Sequence, residues 1–287
     1  MINLALAIVL APLLFGIINK TKAFFAGRIG YPFFQLYYDL FKLFRKNFVY
    51  SNTTSWVFRA GPIIGIVVAL VILLFLPKSI FAFNGDILLV AYLFALMRFF
   101  TVIAAIDTGS AFEGMGSARE VLYAIFAELA LFMSFITLAY MTKNMSLASM
   151  LTEISGDHWM NFGPAMVLLS LVLFVIILLE NCRIPFDDPN THLELTMIHE
   201  VMVLDHGSFD LGLIEYASSL KLWIWCSILA HIIFPFSSIC INVLGIFIIA
   251  IFIGIVESTM ARFRLVRIPQ IILGVFALSI FSFFLVR

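Results

Sequence analysis

The apolar runs Ile63–Leu76, Val167–Leu179 and Val243–Val256 carry no charged side chain. Each needs only a few flanking residues to reach the roughly 20 that cross a bilayer as a helix. Eight such spans can be drawn, near 2–18, 60–77, 86–105, 121–141, 163–180, 219–235, 240–257 and 269–286. Only 12% of the 287 residues are charged, about half the share in a soluble domain. The expected fold is an all-α polytopic membrane protein, with residues 1–287 forming a single integral membrane domain. The first run lacks the basic start of a signal peptide, and Lys20 and Lys22 follow it. It is expected to stay as a span with its N-terminus outside.

Basic residues orient such a bundle, because they collect on the cytoplasmic side. Thirteen of them fall in loops after the first, third, fifth and seventh spans: seven between Lys20 and Arg59, then Arg119, Arg183, Lys221, Arg262, Arg264 and Arg267. The opposite side holds Lys78, Lys143 and Arg287. The odd-numbered loops are therefore expected to be cytoplasmic. The basic residues are dispersed and the net charge is zero, which excludes nucleic acid as an expected partner.

One cytoplasmic loop gathers six carboxylates and two histidines between Glu180 and Asp205: Glu180, Asp187, Asp188, Glu194, Glu200, Asp205, His192 and His199. Charge beside lipid is costly, so the cluster reads as machinery for protons, ions or a docking partner. Pro185 and Pro189 break any helix there, and a helix is expected to restart near Asn190 or Thr191, with Leu193, Met197, Val201 and Leu204 as its apolar stripe. A metal site built on His192, His199, Glu200 and His206 is disfavoured, since Val203 stands where the pattern HExxH needs its second histidine.

Three other features carry charge in an apolar chain. Between Arg28 and Phe48, the residues Phe33, Tyr37, Leu40, Phe41, Phe44 and Phe48 follow helical spacing, with Gln35, Asp39, Lys42 and Lys46 opposite. This pattern predicts a cytoplasmic-side amphipathic helix, serving as a membrane-surface brace or a docking face. The stretch Asp107–Glu120 holds three glycines with Glu113 and Arg119, and reads as a loop of unusual backbone freedom or close approach to another chain. Arg98, Glu128, Glu180 and Glu257 lie at membrane depth, as structural ion pairs or as a proton relay. Cys182, Cys226 and Cys240 form no CxxC pair, so no iron–sulfur cluster is expected on this chain.

The run from Glu180 to Asp205, beginning Glu-Asn-Cys-Arg-Ile-Pro-Phe-Asp-Asp-Pro, closely resembles the membrane-anchor subunit of group 4 nickel–iron hydrogenases, the formate hydrogenlyase subunit 4 and hydrogenase-4 component C type. That subunit is homologous to subunit 1 of respiratory complex I. Arg28, Gly30, Pro32, Gln35, Asp39 and Lys42 resemble the family's motif after the first span. Asp107-Thr-Gly-Ser, Gly116-Ser-Ala-Arg119 with Glu128, and Glu257-Ser-Thr-Met-Ala-Arg-Phe-Arg-Leu resemble three more, in family order.

The resemblance implies a non-catalytic subunit in the inner (cytoplasmic) membrane. It would anchor the hydrogenase large and small subunits and a ferredoxin-like iron–sulfur subunit, which hold the nickel–iron centre and clusters. It would join them to antiporter-like membrane subunits. The proton path implied is Glu113, Glu128, Glu180, Asp187, Asp188, Glu194, Glu200 and Asp205. Docking or charge-partner roles fall to Arg119, Arg183, His192, His199, Asp39 and Lys42. No cofactor is expected on this chain. Two alternatives stay open: a complex-I-like quinone oxidoreductase whose loop lines the quinone site, and an ion-antiporter assembly. The run Asp-Asp-Pro-Asn-Thr-His-Leu-Glu departs from complex I's acid-dense loop and weighs against a quinone chamber.

Overall fold

The computed structural model describes residues 2–77, 81–188, 196–235 and 238–287. In chain order its helices are α1 (Ile2–Phe25), α2 (Gln35–Arg45), α3 (Trp56–Leu73), α4 (Asp86–Asp107), α5 (Ala111–Thr142), α6 (Leu147–Glu153), α7 (Gly156–Glu180), α8 (Ser208–Ile233), α9 (Ile239–Thr259) and α10 (Ile268–Val286). Among the described residues, eight helices are long and apolar enough to cross a membrane: all but α2 and α6.

Burial and hydropathy part company at α8 and α9. The helix α8 has the lowest mean hydropathy of the eight, 1.3, yet every residue from Leu222 to Ala230 is buried. The helix α9 has the highest, 3.0, and shows a lipid-side row that includes Leu244, Ile248, Ile251 and Phe252. Lipid selects for apolar surface, whereas a central helix can carry polar groups that find partners inside the bundle. Around α8 pack α3, α9, α1, α7 and, at its first turns, α2. The helix α10 closes the other side against α5 and α7.

Two helices start ten or more residues ahead of the expected spans. The helix α5 begins at Ala111, ten residues ahead of the expected 121, and α8 begins at Ser208 rather than 219. In α5 the glycine-rich stretch is helical apart from the turn at Thr108–Ser110, where Gly109 has φ +72°. Its Gly116 is needed for contact, since a Cβ there would strike the side chain of Val201 and the carbonyl of Ile198. The glycine thus lets the acidic loop lie on α5 of the same chain.

The expected helix restart near Asn190 or Thr191 lies outside the described residues. By residue 196 the chain is irregular, and only the 3-10 turn Glu200–Val203 follows. Of the expected stripe, Met197 and Val201 are buried but Leu204 is exposed; Leu193 lies outside the described residues.

The amphipathic helix is present as α2. It is wedged against α1 and the start of α8, where Phe44 meets Phe209 edge-on at 5.5 Å. Only Leu40 is buried, and Phe34, Tyr38 and Phe41 remain exposed. Two tyrosines fasten α1 to its neighbours. Pro12 interrupts α1 and has no N–H for the carbonyl four residues back, that of Ile8. The hydroxyl of Tyr216 on α8 donates to that carbonyl at 3.0 Å, and the hydroxyl of Tyr37 on α2 donates to the next, Val9.

Replacing Tyr216 with Phe leaves the Ile8 carbonyl without its donor and is expected to cost about 1 kcal/mol of stability. Pro12→Ala returns the missing amide, so the loss is expected to vanish in the double variant. Thermal melting of the four combinations in detergent measures this; an equal loss with and without Pro12 would contradict the assignment.

Candidate functional site

A guanidinium inside a bilayer is stable only where carboxylates surround it. Arg98, in the second half of α4, has a side chain 9% exposed and meets acids from two other helices. Its Nη1 donates to Glu128 Oε1 at 2.5 Å, its Nη2 donates to Glu180, and its Nε lies 3.5 Å from Glu120 Oε1. Glu120 and Glu128 sit just over two turns apart on α5, and Glu180 ends α7. From α8, the ammonium of Lys221 reaches Glu180 Oε2 at 2.9 Å and donates to the Glu180 carbonyl at 2.6 Å. Three acids thus face two bases, and the cluster carries a formal charge of −1.

Beside it lies a cavity with ≈ 70 Å³ of room for water centres. Since one water needs about 10–15 Å³ of such room, several fit. Arg98, Glu120, Glu180, Lys221, His199 and His206 line it, as do Pro62, Met97, Met202 and Ile214. Polar groups from α4, α5, α7, α8 and the acidic loop therefore line one cavity.

A second buried network lies on the other side of the turn after α7. Arg183, 3% exposed, has its Nη1 3.4 Å from Glu257 Oε1 and its guanidinium over the Phe15 ring at 4.3 Å. Lys22 holds the other oxygen of Glu257 at 2.8 Å. The backbone of Cys182, between Glu180 and Arg183, takes φ 52°, and burial pushes its thiol well above the usual range.

The remaining expected residues divide by environment. Asp187 is a fastener: its carboxylate takes Arg262 at 2.8 Å and the N–H groups of Ile198 and His199 at 3.1 and 3.0 Å. Glu113, 1% exposed, accepts from the Thr108 hydroxyl and from Asp205 N–H at 3.3 Å, and so ties the acidic loop to the start of α5. Glu200 stands next to His199, and burial raises its carboxyl above the ordinary range. Asp188 is half-buried and Asp205 exposed. Arg119 donates to the Met197 carbonyl at 2.9 Å. Arg183 is turned inward, with Glu257 as its charge partner. Asp39 accepts both its hydrogen bonds from Gln35 Nε2, at 3.0 Å each, and Lys42 is exposed. Glu194 and His192 lie outside the described residues.

Sequence reasoning passed over Glu120, Lys221, Lys22 and Arg262, which were read as loop charges. It also passed over a cluster next to the cavity. There the His206 ring stacks on Phe58 at 4.0 Å and 9°, and Tyr50 donates to Asp210 Oδ1 at 3.2 Å. For Lys221 a signal was available, since it falls inside the stretch 219–235 expected to span the bilayer. Among the described residues, no three His, Cys, Asp or Glu groups converge as metal ligands.

The family model described as NADH dehydrogenase matches residues 1–287. Hydrogenase-4 component C of Escherichia coli (strain K12) is 29% identical over 280 residues, covering 92% of this chain and 87% of that protein. Formate hydrogenlyase subunit 4 of the same organism is 27% identical over 290 residues, covering 95% and 93%. A chain of the membrane-bound sulfane sulfur reductase, an archaeal respiratory membrane complex, superposes with a TM-score of 0.86 over 99% of this chain and 97% of that one, at 18% identity. That likeness shows a shared fold.

Removing Arg98 strands three acids, so Arg98→Leu is expected to destabilise the protein by about 3–5 kcal/mol, and Glu128→Gln with Glu180→Gln to recover part of it. Denaturation in mixed micelles measures both, and a neutral Arg98→Leu would contradict the pairing. Burial pushes the His206 imidazole down to about 4, while the unfolded ring titrates near 6.5. The folded state refuses a proton that the unfolded state takes. Stability is therefore expected to be undiminished by this group above pH 6.5 and to fall, on the order of 3 kcal/mol, as pH drops from 6.5 to 4. Melting curves across that window are expected to flatten in His206→Gln.

Proposed function

Because the chain belongs to the NADH dehydrogenase family over its whole length, we propose that it is the integral membrane subunit of an energy-converting complex of the hydrogenase-4 and formate hydrogenlyase type. It seats a soluble nickel–iron and iron–sulfur arm on its carboxylate-rich face, beside antiporter-like membrane subunits in the cytoplasmic membrane. The same face is cytoplasmic, in keeping with its excess of basic residues. Electron transfer in the arm changes the charge near the acidic loop, and proton occupancy of the buried acids follows that change.

The observation that carries this reading is the Arg98 cluster. Its three carboxylates exceed its two cations by one, so it can bind and release a single proton without an isolated charge in the bilayer. The adjoining cavity has room for the water that such an exchange needs. A second reading, a quinone-linked complex, is favoured by the apolar part of the cavity wall at Pro62, Met97, Met202 and Ile214.

Purified complex in proteoliposomes tests the first reading. Glu180→Gln and Glu128→Gln are each expected to lower proton movement per electron by about tenfold, with assembly and the redox activity of the arm retained. Unchanged coupling in both variants would reject it. Nickel in the purified assembly and turnover without quinone favour the first reading; turnover that requires quinone favours the second.

A further inference from the structure

The cavity next to the Arg98 cluster has a second polar wall that the proposed path does not use. The His206 side chain is 2% exposed, lines the cavity, and lies flat against Phe58. Its Nδ1 is buried and has no hydrogen-bond partner; it faces Asp210 Oδ2, equally buried and unpartnered, across 4.0 Å. That gap is too wide for a hydrogen bond and narrow enough for one bridging water or a small closure. The other oxygen of Asp210 accepts from the Tyr50 hydroxyl at 3.2 Å. Tyr50 is half-buried under the exposed Arg59, whose guanidinium lies 4.3 Å from its ring centre.

Two orphaned polar atoms facing each other are costly unless a proton sits between them for part of the time. We propose that Tyr50, Asp210 and His206 are the proton entrance of the cavity, linking the aqueous edge at Arg59 to Glu180. This deepens the proposed function and rests on it. The Tyr50 hydroxyl accepts a proton from surface water as it gives its own to Asp210. The Asp210 carboxyl group then turns over, which brings that proton to the side facing His206, and passes it to His206 Nδ1; the ring releases the proton on Nε2 to cavity water beside Glu180 and Lys221. Each group ends with the proton count it began with, while one proton has moved inward. A half-turn of the ring about Cβ–Cγ, which keeps it parallel to Phe58, carries Nδ1–H to the cavity side; water there takes that proton and returns one to Nε2, and a second half-turn restores the starting arrangement. Burial, which keeps the ring neutral at rest, lets it pass a proton on rather than hold it.

The charged and titratable groups around this route come from every neighbouring element. They are Asp39 on α2, Arg59 on α3, Arg98 on α4, Glu113 and Glu120 on α5, His199, Glu200 and Asp205 of the acidic loop, and Glu215 and Lys221 on α8. None of them joins His206 to Asp210, so these two residues can be varied apart from the Arg98 cluster.

The test uses the intact complex in proteoliposomes, with proton uptake timed against electron transfer in H₂O and in D₂O. His206→Gln and Asp210→Asn are each expected to slow uptake by about tenfold or more and to abolish its solvent isotope effect. Added imidazole is expected to restore the rate in His206→Ala, which a merely structural role would not produce. Unaltered uptake in His206→Gln and Asp210→Asn, with coupling lost in Glu180→Gln, overturns the entrance and leaves the proposed function standing. Unaltered uptake in Glu180→Gln as well overturns both. Should His206→Gln fail to assemble, the isosteric Asp210→Asn decides by the same criterion.

Discussion

A desolvated guanidinium at the middle of the bundle organises the rest of the protein. Arg98 cannot sit in hydrocarbon alone, so α5 and α7 must bring Glu120, Glu128 and Glu180 to it, and α8 must bring Lys221 to the acid that Arg98 shares. Four spans are held in register by one charge cluster. Opposite charges at this depth gain far more than at a surface, and each group left unpaired costs correspondingly more. The arrangement is thus specified tightly even though its net contribution to stability is small.

The surplus acid of that cluster is matched across a short turn. The network of Arg183, Lys22 and Glu257 holds two cations and one carboxylate, for a formal charge of +1. Glu180 and Arg183, one in each network, are separated only by Asn181 and Cys182. A proton gained by the first network changes the field on the second through a connection of two residues. Asp187, directly beyond, is fixed by Arg262 and by the acidic loop. A change of charge within the bundle therefore has a short mechanical route to the surface on which we place the redox arm.

Much of the fold was legible in the chain because lipid imposes a simple rule on composition: long apolar runs become spans. Where the rule fails, its physical cause is plain. The start of α8 is polar because it faces protein and water, and the start of α5 is rich in glycine because the acidic loop packs on it. Neither stretch carries the apolar run by which the sequence marks a span. The carboxylates at depth, Glu128 and Glu180, stood out as costly, and Arg98 was recognised as a possible partner. Which acids would meet it could not be read, since pairing depends on how helices from distant parts of the chain rotate against each other. Lys221 and His206 escaped for a related reason: one was counted with the loop cations, the other weighed only as a metal ligand. Their meaning comes from the cavity, which no local pattern encodes.

The central claim is that the Arg98 cluster changes its protonation in step with electron transfer. Redox-induced infrared difference spectroscopy on the purified complex addresses this most directly, because a protonated carboxylic acid has a C=O stretch well separated from that of a carboxylate. The account predicts a carboxylic acid band that appears or disappears on reduction, shifts in D₂O, and is missing when Glu180 is replaced by Gln. A spectrum with no such band, or one that Glu180→Gln leaves unchanged, would contradict it.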